Sequence, residues 1–253
     1  MSEPGNHIVV ENLTMKYGDF LIQRDLNFAI KRGDVFVIMG GSGCGKSTLL
    51  KHLIGLYEPA VGRVLYDGAS FWDSSSEEQG ALLRRMGILY QKGALWTSMT
   101  LAENVAMPLR QYTGRSDTEI QDIVDYKLAL VGLSGFQDYY PSEISGGMQK
   151  RAALARAMAL DPEVLFFDEP SAGLDPVSSK LLDDLIIELN KSTGATVVVV
   201  THELASIFSI AKNSIFLDPD TKTSIAFGPP KELLESSKDP KVIEFLTRGE
   251  RQR

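Results

Sequence analysis

The chain has 253 residues, 43% hydrophobic and 23% charged, which fits one large or two small globular domains and excludes a disordered, collagen-like or coiled-coil polypeptide. Its 26 basic against 33 acidic side chains give a net charge of −7, unsuited to non-specific binding of nucleic acid or anionic lipid, so no nucleic-acid partner is expected. One cysteine, Cys44, excludes an internal disulfide and a cysteine-rich metal site; no apolar run nears the roughly 18–20 residues of a membrane helix, and no secretory pattern opens the chain, so a soluble intracellular protein is expected.

Short segments rich in Val, Ile, Leu or Phe predict strands at 7–12, 26–30, 35–39 and 63–66. Asp67-Gly68 predicts a hairpin turn, and 87–90 a further strand. A helix is expected over 49–54. The apolar spacing is helical over 116–131, with Ser116 as cap, and an Ala-, Met- and Leu-rich helix over 143–160 stops before Pro162. A strand at 164–167 precedes a helix at 176–190 that opens with Asp175 as cap and Pro176 in first position. Then come a strand at 196–200, a helix at 203–211, strands at 215–217 and 224–227, and helices at 231–236 and 240–248. Continuous apolar strands between helices predict an α/β fold whose parallel sheet is covered on both faces. The helix-rich stretch near 100–160 reads as an insertion.

The strand at 35–39 runs into Gly40, Gly41, Ser42, Gly43, Cys44, Gly45, Lys46, Ser47 and Thr48, and then into a helix. This is the phosphate-loop pattern in the context it requires. Four glycines let the backbone curl its N–H groups around an anion, and the helix adds its positive end. Lys46 brings a mobile charge to the terminal phosphates, and Ser47 a hydroxyl for Mg²⁺. The plainer reading is a Gly-rich turn. A guanine-reading Asn-Lys-x-Asp segment is missing: the nearest string, 190–193, ends in Thr193.

The apolar strand at 164–167 delivers Asp168 and Glu169 at its C-terminal end, where an open α/β sheet binds ligand. Asp168 is expected to hold Mg²⁺ through water or Ser47, and Glu169 to polarise an attacking water. His202, at another strand end, can reach the terminal phosphate beside Glu169. In isolation a solvated acidic turn and a polar strand cap are the simpler accounts; beside a phosphate loop they lose ground.

Ser145, Gly146 and Gly147 open the Ala-rich helix, with Ser145 as cap and the glycines exposing backbone donors at its positive end. A second anion site is redundant for one nucleotide on one chain. A head-to-tail pair of chains resolves this, each nucleotide lying between one chain's loop and its partner's Ser-Gly-Gly.

With these motifs the sequence resembles the ATP-binding-cassette (ABC) ATPases over nearly its whole length. The resemblance implies a RecA-like parallel-sheet core, an N-terminal antiparallel β subdomain and an inserted α-helical subdomain at about 92–160, all in one domain over 1–227, with a C-terminal helical extension at 228–253. It implies ATP and Mg²⁺ as cofactors. Tyr17 matches the aromatic that stacks on adenine, and Gln91 the glutamine that senses Mg²⁺ and water. Residues 171–175 match the loop that touches the opposite subunit, and His202 the switch histidine. Lys46, Gln91, Glu169 and His202 are then the catalytic set, and Ser47, Gln91 and Asp168 the metal set. The family signature Leu-Ser-Gly-Gly-Gln reads Ile144-Ser-Gly-Gly-Met148 here, with Gln149 next. Cys44, near a helix N-terminus, is expected to carry an acidic thiol whose alkylation blocks ATPase activity.

Residues 91–109 are similar to the stretch after the sensing glutamine in ATPases serving MCE/Mla-type lipid transporters. So are the Ser-Gly-Gly-Met signature and Asp239-Pro-Lys-Val-Ile-Glu-Phe245. The resemblance implies a peripheral subunit on the cytoplasmic face of the inner membrane, a transmembrane permease docking near 91–109, an MCE-domain protein in the same complex, and phospholipid or another lipid as cargo. An importer of amino acids or ions is the alternative. Ala94, Leu95, Trp96, Met99 and Leu101 form an apolar cluster that suits docking or ordinary packing. The C-terminal tail carries Ile243, Phe245 and Leu246 on a small apolar face, with Arg248, Arg251 and Arg253 at its end.

Overall fold

The computed structural model describes residues 5–248. Arg251 and Arg253, expected to make a basic end, lie outside the described residues. The first half runs β1 (Asn6–Tyr17), β2 (Phe20–Lys31), β3 (Val35–Gly40), α1 (Lys46–Leu53), β4 (Val61–Tyr66), β5 (Ala69–Ser70), α2 (Ser76–Arg84), β6 (Met86–Leu89), α3 (Leu101–Tyr112) and α4 (Asp117–Leu130). A short 3₁₀ turn, Pro141–Glu143, leads into α5 (Gly146–Ala157), β7 (Val164–Asp168), α6 (Pro176–Thr193), β8 (Thr196–Val200) and α7 (Leu204–Ile210). Strands β9 (Asn213–Asp218) and β10 (Thr223–Gly228) and helices α8 (Pro230–Ser236) and α9 (Pro240–Leu246) complete it.

Two sheets form. One is antiparallel, in the order β2-β1-β4-β5; the other, in the order β10-β9-β3-β8-β7-β6, is parallel except for β10. This is the α/β architecture expected. Strands β3 and β8 are buried at every residue, the result of covering both faces of a parallel sheet. Alternation along them divides the interior in two. Val35, Val37, Met39, Val197 and Val199 join the core built with α3–α7. Phe36, Ile38, Val198 and Val200 join the core under the antiparallel sheet and α1. At the far end of the sheet from the loop after β3, Glu163 binds Arg85 and Arg32, and Asp67 of the β4–β5 turn binds the same two guanidiniums.

Asp67 and Gly68 both take left-handed φ, the hairpin turn expected of that pair. Strand β1 runs five residues past its predicted end. A bulge at Asn12, φ 49°, shifts the pairing register between Val10 and Leu13, and this breaks the apolar alternation that a sequence reader follows. Gly62 on β4 lets that bulge approach: a Cβ there would lie 2.3 Å from the Asn12 carbonyl oxygen.

Helix α2 was not foreseen, and α3 was foreseen only as part of the helix-rich stretch near 100–160. Each opens with a capping box, Ser75 with Glu78 and Thr100 with Glu103. No residue of α2 is fully buried, so it lacks an apolar stripe to read. In α3 Pro108 masks the pattern.

Candidate functional site

The phosphate-loop residues lie between the C-terminal end of β3 and the start of α1. Two close approaches dictate glycine. A Cβ on Gly40 (φ 145°) would lie 2.4 Å from the Leu217 carbonyl oxygen, and one on Gly45 (φ 101°) 2.7 Å from Ile22. The Lys46 ammonium donates to the Gly40 and Gly41 carbonyls at 2.9 Å. The loop is one wall of a cleft of about 910 Å³ that also includes Tyr17, Ser42, Gly43, Ser47, Thr48, Gln91, Glu169 and His202.

Cys44 departs from expectation. Its thiol is 1% exposed and turned into the core beneath the antiparallel sheet, away from the cleft. Burial pushes its pKa up, outweighing the neighbouring Lys46. Only the backbone of Cys44 is left to serve the loop, and the expectation of a reactive thiol fails.

At the end of β7 the Ser47 hydroxyl donates to Asp168 at 3.0 Å. Burial raises the Asp168 pKa, and the Ser47 hydrogen bond opposes it. A hydroxyl and a carboxylate at this spacing are hard oxygen donors of the kind Mg²⁺ takes, and the Gln91 amide oxygen is of the same kind. Glu169 follows with φ 48°, its N–H donating to the Val200 carbonyl at 2.8 Å. Its Oε1 is 2.7 Å from His202 Nδ1, while its Oε2 is buried without a partner. A strained backbone that carries an unmatched buried carboxylate oxygen into a cleft is a feature of functional sites.

Ser145 caps α5, accepting the Met148 N–H at 3.3 Å. Ser145, Gly146 and Gly147 are not part of the cleft wall. Gln149, next to the signature, turns back to the Pro141 and Ile144 carbonyls at 2.8 and 3.3 Å. In the loop before α6, Asp175 accepts the Val177 and Ser178 N–H groups at 3.0 Å.

The sequence reading missed several participants. Lys150 of α5, 8% exposed, donates to the Gln91 carbonyl and, at 3.4 Å, to the Glu169 carbonyl. Burial lowers its pKa. Arg156, two turns on, donates to the Gly93 and Ala94 carbonyls at 2.9 and 2.7 Å. Long cations on an Ala-rich helix were the available signal. Phe20, Ile22, Leu204, Glu244, Phe245 and Arg248 also face the cleft.

Residues 91–100 form a surface loop. Trp96 is 54% exposed, whereas Leu101, grouped with it from sequence, is wholly buried and belongs to the core. Asn104 holds the loop: its Oδ1 accepts the Trp96 N–H at 2.8 Å, and its Nδ2 donates to the Trp96, Met99 and Thr100 carbonyls at 3.0, 3.2 and 2.9 Å.

The ABC transporter family model matches residues 23–172. The chain belongs to the ABC transporter family. As a member, it binds ATP and hydrolyses it. Among its relatives, the "Intermembrane phospholipid transport system ATP-binding protein MlaF" of Haemophilus influenzae is 44% identical over 241 residues, 95% of this chain and 90% of that one. The "Probable ribonucleotide transport ATP-binding protein mkl" of Mycobacterium tuberculosis is 43% identical over 242 residues, 96% of this chain and 67% of that one. Among solved structures, cbiO1 of Clostridium perfringens, part of the ABC transporter complex cbiONQ, superposes with TM-score 0.84 at 29% identity, covering 96% of this chain and 97% of that one. The cassette MJ0796, in a dimeric post-hydrolysis state bound to ADP and Pi, gives TM-score 0.78 at 30% identity, covering 87% and 97%. Among the described residues no helix of this family member is long and apolar enough to cross a membrane.

Proposed function

We propose that this chain is the ATP-hydrolysing subunit of an inner-membrane transporter that moves phospholipid or another lipid. The observation that carries the lipid assignment is its 44% identity to the Haemophilus MlaF protein over 90% of that protein's length. The mycobacterial mkl, whose name gives ribonucleotide as cargo, is matched over 67% of its own length. A polar-solute importer is therefore the second reading. Residues 1–227 act as one nucleotide-binding domain with a helical subdomain at about 92–160, and residues 228–253 as an extension.

The roles follow the geometry. Tyr17 stacks on the base, and the backbone of residues 40–48 with Lys46 takes the phosphates. Ser47, Asp168 and Gln91 would hold Mg²⁺, which when bound offsets charge on the phosphate oxygens. Glu169 accepts a proton from the attacking water, and His202, 2.7 Å from Glu169, orients it and faces the terminal phosphate. Water attacks phosphorus, the bond to the leaving ADP oxygen breaks, and ADP and phosphate result. Ser145, Gly146 and Gly147 complete the site of a second copy, so two chains pair head to tail. That the MJ0796 cassette is dimeric supports the pairing of two chains.

The chain works on the cytoplasmic face of the membrane without crossing it. Its permease docks near 91–109, against exposed Trp96 and a groove of about 360 Å³ that includes Met99, Glu103, Met107 and Arg110. An MCE-domain protein in the complex carries the lipid onward. The test is reconstitution with the permease that co-purifies with it, measuring ATP-dependent transfer of fluorescent phospholipid between vesicles. Transfer is expected; ATP-driven uptake of a polar solute with no lipid movement would overturn the reading.

A further inference from the structure

Gln23 is out of place by composition: a glutamine on β2, wholly buried beside a layer built mostly from Ile, Leu, Val, Met and Phe. Its Nε2 donates to the Cys44 carbonyl at 2.7 Å and to the Asp218 carbonyl at 3.0 Å. Its Oε1 has no partner. An apolar side chain would fill the position without bringing an unmatched acceptor of its own into the core. What the amide adds is the hold on those two carbonyls.

The Cys44 carbonyl belongs to the phosphate loop. For the loop's N–H groups to face an anion, its carbonyls must face back into the protein and find donors there. Lys46 serves Gly40 and Gly41, and must release them to reach a phosphate. Gln23 approaches from the core side and does not face the cleft, so its hold on Cys44 persists through binding. The second carbonyl, that of Asp218, ends β9. The Asp218 carboxylate, 1% exposed, accepts the Thr221 N–H and hydroxyl at 2.9 and 2.8 Å and the Lys241 ammonium at 2.8 and 3.0 Å. Lys241 stands in the first turn of α9, in the C-terminal extension.

We propose that Gln23 is a positioning residue that fixes the phosphate loop in its binding shape, and that Asp218 and Lys241 extend this tie to α9, so the extension sets affinity for nucleotide. The proposal rests on the reading of residues 40–48 as the phosphate site. Equilibrium binding of ADP, ATP and adenosine to the purified full chain tests it, with kcat, KM and thermal melting measured on the same samples.

Gln23→Leu is expected to weaken ADP binding and raise KM for ATP about tenfold, the worth of one hydrogen bond of this kind. kcat at saturating ATP stays within about twofold, and adenosine binding is unchanged. Lys241→Met weakens ADP binding in the same direction by a smaller factor, and Lys241→Arg restores it. Folded Gln23→Leu with unchanged ADP affinity, or with equal losses for ADP and adenosine, overturns the proposal. If Gln23→Leu does not fold, Lys241→Met decides: unchanged ADP affinity overturns the tie. Lys46→Ala separates the two readings. Loss of ADP binding there with none in the other variants rejects the tie alone; full ADP binding in Lys46→Ala rejects the phosphate loop itself and the tie with it.

Discussion

Replacing Asn104 by Ala should destabilise the chain and disable the loop proposed to dock the permease, without touching the nucleotide cleft. Asn104 is wholly buried and makes four hydrogen bonds to residues 96–100. The Thr100 carbonyl keeps the Asn104 N–H, and the Trp96 carbonyl keeps the Met99 N–H. The Trp96 N–H and the Met99 carbonyl lose the partner that Asn104 gives them. At about 1–1.5 kcal/mol for each such group, the loss is about 2–3 kcal/mol. For a chain of this size that lowers the melting temperature by about 4–12 °C. Differential scanning calorimetry on wild type and variant reads this directly. Permease co-purification should fall as well, because the loop that presents Trp96 loses its clamp, while ADP affinity stays unchanged. A melting temperature within about 1 °C of wild type, with the permease still captured, would refute the reasoning.

Glu169→Gln should cut turnover by at least about a hundredfold and, with ATP, trap a dimer that gel filtration resolves; normal turnover would remove Glu169 from its role. Native Cys44 should react with maleimide only at the rate of unfolding, with or without ATP, and fast ATP-sensitive labelling would contradict its burial. The Arg85 and Arg32 hydrogen bonds hold Glu163 down to about 2 from 4.5, so its contribution is complete above about pH 4.5 and is lost as pH falls toward 2. Glu163→Gln should therefore flatten the acid limb of a stability–pH curve, and an unchanged limb would exclude the network as its source. Trp96→Glu should abolish capture of the permease in a pull-down, and retained capture would place docking elsewhere.

The candidate site was legible where a local rule marks its residues. Gly40 to Thr48 obey a motif, while Asp168, Glu169 and His202 end apolar strands. Ser116, Ser145 and Asp175 were read as caps and do cap their helices. What stayed hidden depends on distance along the chain. Lys150 meets Gln91 across 59 residues, and Gln23 meets Asp218 across 195. No periodicity encodes either. Cys44 was misjudged for a related reason: its place near a helix N-terminus is visible in sequence, but the direction of its side chain is set by the alternating curl of the loop. Helix α2 escaped because a helix that buries no residue leaves no stripe.

The alternation along β3 makes the parallel sheet a partition between two separate interiors, and its consequence is one of parity. Residues at odd numbers from Val35 to Met39 answer to the helical side, and even ones to the side beneath the antiparallel sheet. Inserting or deleting one residue in β3 would exchange the occupants of both interiors at once and turn Gly40 away from the Leu217 carbonyl. The strand is thus a ruler of fixed length for the loop that follows it. Sequence drift can change which apolar residue stands at each mark but not the number of marks.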